Sequence, residues 1–327
     1  MRTARLLFQT YRFEAVSVLI AAALLAGAGL YVSSRLDAAL GDRQDCLIQW
    51  QETAGEVSGE CGEVARDFYG INEGEAGKVM AAMAILPFAA GLLIGVPLVG
   101  REIEHRTTAL AWSLKSSRSR WLLKRAVIAA VALGVVLAVP ATTAEVLEGS
   151  RVPGVDPAGT FDDYGLRGPL TVFRGLAALG IGLLGGALIG RVLPALIVGF
   201  VGVLALVWVL TNSQWAFLPE ADLVPADEFG GIPRGGLYAG SPEGPLYRDG
   251  QGDLLTFDQV TALSPYPPDG SEERFYRWID EEFDEMVRYI PGERLGIVVV
   301  REAVGLSVLS VVLVGLTAMV VTRRRPY

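Results

Sequence analysis

Six long apolar runs divide the chain, near Ala15 to Val32, Val79 to Val99, Leu122 to Thr143, Leu170 to Gly190, Val192 to Leu210 and Leu295 to Val321. Each holds about 20 residues, enough for a helix to cross a hydrocarbon layer of roughly 30 Å. The pattern therefore predicts an all-α polytopic membrane protein with six transmembrane helices. Only Arg191 separates the fourth and fifth runs, which requires a tight hairpin at one membrane surface. The longest polar stretch, 211–294, lies between the fifth and sixth. Its first part, including FGGIPRGGLYAGSPEGPLYRDGQGD, is rich in Gly and Pro and reads as irregular loop. In SEERFYRWIDEEFDEMVRYI, Phe275, Ile279, Phe283, Met286 and Ile290 recur at steps of three and four, which predicts one amphipathic helix ended by Pro291-Gly292.

Charge orients this pattern. Arginine and lysine crowd the N-terminal segment (Arg2, Arg5, Arg12), the stretch 100–121 with Lys124 and Arg125 after it, the turn at Arg191 and the tail Arg323 to Arg325. By the positive-inside rule these face the cytoplasm, with both termini inside. The first run continues through Leu30, Tyr31 and Val32, and is expected to stay as a span rather than be cleaved as a signal peptide. Of the 36 acidic residues, 32 fall in the segments this orientation puts outside: 33–78, 144–170 and 211–295. The net charge of -8 thus hides a basic inner face, suited to anionic lipid, and an acidic outer one. With 51% hydrophobic and 20% charged residues and a mean hydropathy of +0.40, the chain is too apolar for an ordinary soluble domain.

Cys46 and Cys61, the only cysteines, both lie in the first outer segment, 33–78, where an oxidising compartment favours a disulfide. Gly182, Gly186 and Gly190 recur at four-residue spacing, which permits close helix approach, by default within the molecule. Reactive chemistry is sparse. His105 is the single histidine, which removes most metal-site and triad patterns, and no metal site is expected. NEGEAGKVM holds a Gly77-Lys78 pair, but Asn72 and Val79 stand where a phosphate-binding loop needs Gly and Ser or Thr. Ionisable groups at membrane depth are costly and face protein or water. Arg174, Arg301 and Glu302 fall at similar depth and could form an ion pair from Arg174 to Glu302 or line a polar path. Glu14 is read as favouring its helix N-terminus or meeting Arg12, and Glu145 as solvated.

The stretch GREIEHRTTALAWSLKSSRSRWLLKR, Gly100 to Arg125, reads as a helix with Ile103, Thr107, Leu110, Leu114 and Trp121 along one side and Glu102, His105 and Arg106 mostly turned elsewhere. Nothing in it requires catalysis, and a charged helix held between two spans suits a docked partner that pushes on it. Here the chain resembles the permease subunits of type-2 ABC transporters, the type V exporter class, of actinobacterial type. The family's Glu-x-Glu-x-Gly-Thr motif corresponds to Glu102, Glu104 and Thr107, followed by LAWSLKSSRSRWLLKR; Arg106 stands where the family usually has glycine. FDDYGLRGP at Phe161 to Pro169, GALIGRVLPAL around Arg191, YIPGER, Glu302 and the terminal arginines agree as well.

The resemblance implies a single permease domain over 1–327 in the plasma membrane, with a cytoplasmic coupling helix at 100–121 and an outer region at 211–294. It implies an ATPase-coupling interface at Glu102, Glu104, His105, Arg106, Thr107 and Trp112. ATP and Mg would bind a separate ATPase subunit and no cofactor would bind this chain, which would not itself be an enzyme. The expected partners are that ATPase, a second permease, identical or related, and membrane lipid, without nucleic acid. The implied function is export of an amphipathic or lipid-like small molecule or peptide. A different class is a membrane sensor whose acidic outer region binds a ligand.

Overall fold

The structure is a computed structural model and describes residues 12–52, 58–105, 117–218, 220–226, 236–238, 245–265 and 272–323. Helices dominate the larger of its two compact units, drawn from Met1–Gly154, Asp163–Ala216 and Val299–Tyr327. In chain order they are α1 (Arg12–Leu40), α2 (Gln44–Glu52), α3 (Glu60–Ile71), a π-helical turn (Asn72–Ala76), α4 (Gly77–Glu104), α5 (Arg118–Arg151), α6 (Pro169–Ile189), α7 (Val192–Phe217) and α10 (Leu295–Arg323). Six helical stretches, one in each expected apolar run, are long and apolar enough to cross a membrane. The protein is an all-α polytopic membrane protein in its bundle.

Local sequence explains where these helices begin and end. Ser117, extended in backbone, accepts from the Arg120 N–H and caps α5. Pro169 occupies the first turn of α6, where its missing N–H costs nothing. Gly190, at φ +70°, closes α6 in the left-handed conformation and turns the chain through Arg191 into α7. The outer segment 33–78 is mostly helix. α1 runs on to Leu40, and Val32, Leu36, Leu40, Leu47, Val64, Ala65 and Phe68 form a core of their own around Cys46. Cys46 and Cys61 are disulfide-bonded within it, their Cα atoms 4.9 Å apart.

Small residues let α4 and α6 touch through their backbones. A Cβ added at Gly91 would lie 2.5 Å from the Gly175 carbonyl oxygen, and one at Gly95 2.6 Å from that of Leu179. From the other side, a Cβ at Gly186 would lie 2.5 Å from the Val96 carbonyl. Without a hydrophobic drive between helices in lipid, such close approach is a main source of association. Gly182 and Gly186 thus pack inside the molecule, as their spacing suggested, while Gly190 serves the turn.

The smaller unit, from Val155–Asp162 and Phe217–Val298, corrects the sequence reading of 211–294 as loop and helix. It holds strands β1 (Asp222–Pro225), β2 (Leu237–Tyr238), β3 (Leu246–Arg248), β4 (Leu254–Thr256) and β5 (Asp284–Ile290), with helices α8 (Phe257–Leu263) and α9 (Glu272–Glu282). The antiparallel sheet runs β1-β5-β3-β4, with β2 also paired to β5. In register, Leu246 faces Met286 and Val224 faces Val287. The amphipathic helix therefore stops at Glu282, and Asp284 onward is a central strand. Met286 and Ile290, four apart, satisfy a period of two as well as 3.6, so their spacing alone did not separate the two. Phe275, Trp278 and Ile279 of α9 pack with Tyr247, Phe257, Val260 and Phe283.

Candidate functional site

Apart from Arg43 with Glu60, the ionic contacts described in the helical unit fall in two belts, one toward each end of α4. At the first end, the last turn of α4 sends successive charged side chains to different helices. Arg101 donates from Nη2 to Glu14 Oε1 of α1 at 2.7 Å. Arg125 of α5 donates to Glu102 Oε1, and its guanidinium sits 4.4 Å from the Trp121 ring centre. Glu104 Oε2 accepts at 3.0 Å from the N–H of Val192, the first residue of α7. Such an N–H has no partner within its own helix, and the carboxylate supplies one that also suits the positive end of the helix dipole. Arg118 adds a bond from α5 to the Thr322 carbonyl near the end of α10.

These contacts place the expected coupling residues. Glu102 is turned inward, with 14% of its side chain exposed. Glu104 and His105 are exposed, and the His105 N–H closes α4 on the Arg101 carbonyl. Arg106, Thr107 and Trp112 lie outside the described residues, as does half of the expected coupling helix. Glu14, in the first turn of α1, pairs with Arg101 and not with Arg12. No local signal links residues so far apart in sequence.

At the second end the π turn repeats the pattern. Glu75 accepts from Arg35 of α1, while Asn72 exchanges bonds with the Arg151 guanidinium and carbonyl of α5. Arg151 also binds Glu148 and Asp163. Arg167, 2% exposed, donates to Glu145 at 2.6 Å, so Glu145 is not merely solvated. Arg174 of α6 donates from Nε and Nη2 to Glu302 Oε1 of α10, at 3.0 and 2.6 Å, and from Nη1 to the Gly165 carbonyl. Of the three charges expected at this depth, Arg174 and Glu302 meet as a buried ion pair and Arg301 is exposed. Tyr164 lies in the loop before α6; burial, then the Glu302 charge, push its phenol above the usual range, with Arg174 opposing.

All four acidic residues outside the three acid-rich segments, Glu14, Glu102, Glu104 and Glu302, thus bond to another helix. The arrangement is suited to fixing helices against one another, not to proton transfer or metal ligation. Among the described residues no group of three or more His, Cys, Asp or Glu could hold a metal ion. No curated protein and no solved structure matches the chain. The model of the family described as ABC-2 membrane transporter related matches residues 15–214, which include the first five apolar runs and all of α4, and the chain belongs to that family.

Proposed function

We propose that this ABC-2 permease is the membrane subunit of an ATP-driven exporter that moves an amphipathic or lipid-like compound or peptide. The observation that carries the reading is family membership over 15–214, which implies association with an ABC ATPase. Permeases of this family are generally non-enzymatic membrane components. In the proposed arrangement ATP and Mg bind the partner chain. The partner docks where α4 ends and α5 begins, at the segment holding His105, Arg106, Thr107 and Trp112. A second permease, identical or related, completes the assembly. The crowding of arginine and lysine at this end supports placing it, with both termini, in the cytoplasm.

Affinity purification of the full chain co-expressed with a candidate ABC ATPase from the same genome tests the reading. The expected result is a stable complex whose ATP hydrolysis is faster in liposomes with permease than without. An ATPase that does not bind the chain, and hydrolyses ATP at the same rate without it, would sink the proposal. The sensing alternative draws on the separate fold of the smaller unit. It requires that deleting 272–290 abolish a ligand response while ATP-dependent transport survives.

A further inference from the structure

The same two helices are tied to α4 at both its ends. At the first end α1 is held through Glu14 to Arg101 and α5 through Arg125 to Glu102. At the second, α1 is held through Arg35 to Glu75 and α5 through Arg151 to Asn72. Between them the glycine contacts lock α4 to the backbone of α6. Positions 101, 102 and 104 point in different directions because each step turns a helix by about 100°. One helix end therefore addresses three neighbours, α1, α5 and α7, at once. A displacement applied to the chain just after Glu104 must break a tie or carry those helices with it.

We propose that Arg101, Glu102 and Glu104 are positioning residues that carry motion of the α4 to α5 connection into α1, α5 and α7. On this view the two glutamates act inside the permease and not as charges offered to the ATPase surface. The inference rests on the proposed ATP-driven function and assigns the residues through which the drive enters the bundle. Burial argues for it at Glu102, whose side chain and that of Arg125 are 14% and 20% exposed and already engaged with each other. At Glu104, which is exposed, the argument is chemical. Accepting from the Val192 N–H needs an oxygen with a lone pair and no charge, whereas attraction to a basic partner surface needs the charge.

That difference sets the test. The full chain, in complex with its ATPase in lipid nanodiscs, receives spin labels on cysteines introduced at the exposed positions Ile20 of α1 and Phe200 of α7. The native cysteines are bonded to each other and do not compete. Three quantities are read: ATPase retained, ATP hydrolysed, and the change in label separation on trapping with ATP and vanadate. Glu104→Gln keeps an acceptor and is expected to match the parent in all three. Glu104→Ala is expected to retain and run the ATPase while losing the change in separation. Glu102→Arg and Arg125→Glu are each expected to lose it, and their combination to recover it. The inference is overturned if Glu104→Gln and Glu104→Ala both release the ATPase, or if Glu104→Ala keeps the full change. A labelled parent complex that retains no ATPase overturns the functional reading itself and this inference with it, whereas the variant series overturns the inference alone.

Discussion

α6 meets two neighbours by opposite means. Toward α4 it presents glycines, and the contact is backbone against backbone, as at Gly91 with Gly175 and Gly186 with Val96. Toward α10 it presents Arg174, paired with Glu302, and Gly180, which faces the Leu313 side chain. Coverage differs in the same sense: 56% of the apolar window of α6 and 50% of that ending in α4 are buried, against 17% for α10. A contact made by main-chain atoms has one arrangement, since neither side can rotate away. One made by an ion pair and flexible side chains can be undone and remade, which is what interfaces that switch between states require. The bundle thus combines a fixed α4 to α6 pair with an α10 attached by a breakable tie.

The largest effect should come from cutting that tie on one side. Glu302→Leu leaves Arg174 buried without its counter-charge and is expected to cost about 3–5 kcal/mol. Thermal unfolding in mild detergent reads this as a lower transition temperature. Adding Arg174→Met removes the stranded charge and should recover most of the loss; a double variant as unstable as the single one would mean that the pair is not what holds α10. Next comes the fixed side. Gly91→Ala should cost about 1–3 kcal/mol, because the new methyl meets the Gly175 carbonyl and the main chain cannot yield. Gly180→Ala should cost about 1 kcal/mol or less, since the new methyl would stand 3.0 Å from Leu313 Cβ, a gap half an ångström wider than the one at Gly91. Equal costs at the two glycines would erase the distinction between the faces.

The smallest effect concerns pH. Tyr164 holds its proton more tightly folded than unfolded, so its contribution is complete below the unfolded value of about 10 and is lost as pH rises through the higher folded value. Above about pH 10 the parent should therefore lose stability more steeply than Tyr164→Phe, by the same unfolding measurement. Parallel curves would mean that neither burial nor the Glu302 charge raises the Tyr164 phenol in the folded protein.

Much of the bundle could be read from hydropathy alone, because a span must satisfy its own backbone and the apolar run shows its length directly. The meeting of Arg174 with Glu302 was likewise foreseeable, as two opposite charges at one depth leave few alternatives. The partners of Glu14, Glu102 and Glu104 were not. Helix ends carry many charges, and which ones meet depends on the rotation of each helix, which periodicity gives poorly when apolar residues surround it. β5 was hidden for another reason. Its partners Leu246 and Val224 are distant in sequence, and an acidic, aromatic stretch at helical spacing carries no mark of strands still to be found.

The five residues of the π turn, Asn72–Ala76, sit within a continuous 45-residue helical stretch, Glu60–Glu104. Such a turn accommodates an extra residue in an α-helix. Deleting one residue there would let the turn close as ordinary α-helix and leave the span beyond it nearly in phase, whereas a second deletion would find no such slack and would swing everything beyond it by about 100° around its own axis. Gly91 and Gly95 would rotate off α6, and Arg101, Glu102 and Glu104 would each point at the wrong helix. The segment therefore holds one residue of slack in the phase of α4. Its side chains tolerate exchange wherever their bonds can be kept and its length tolerates one lost residue, but an error beyond that propagates as a rotation along the whole span.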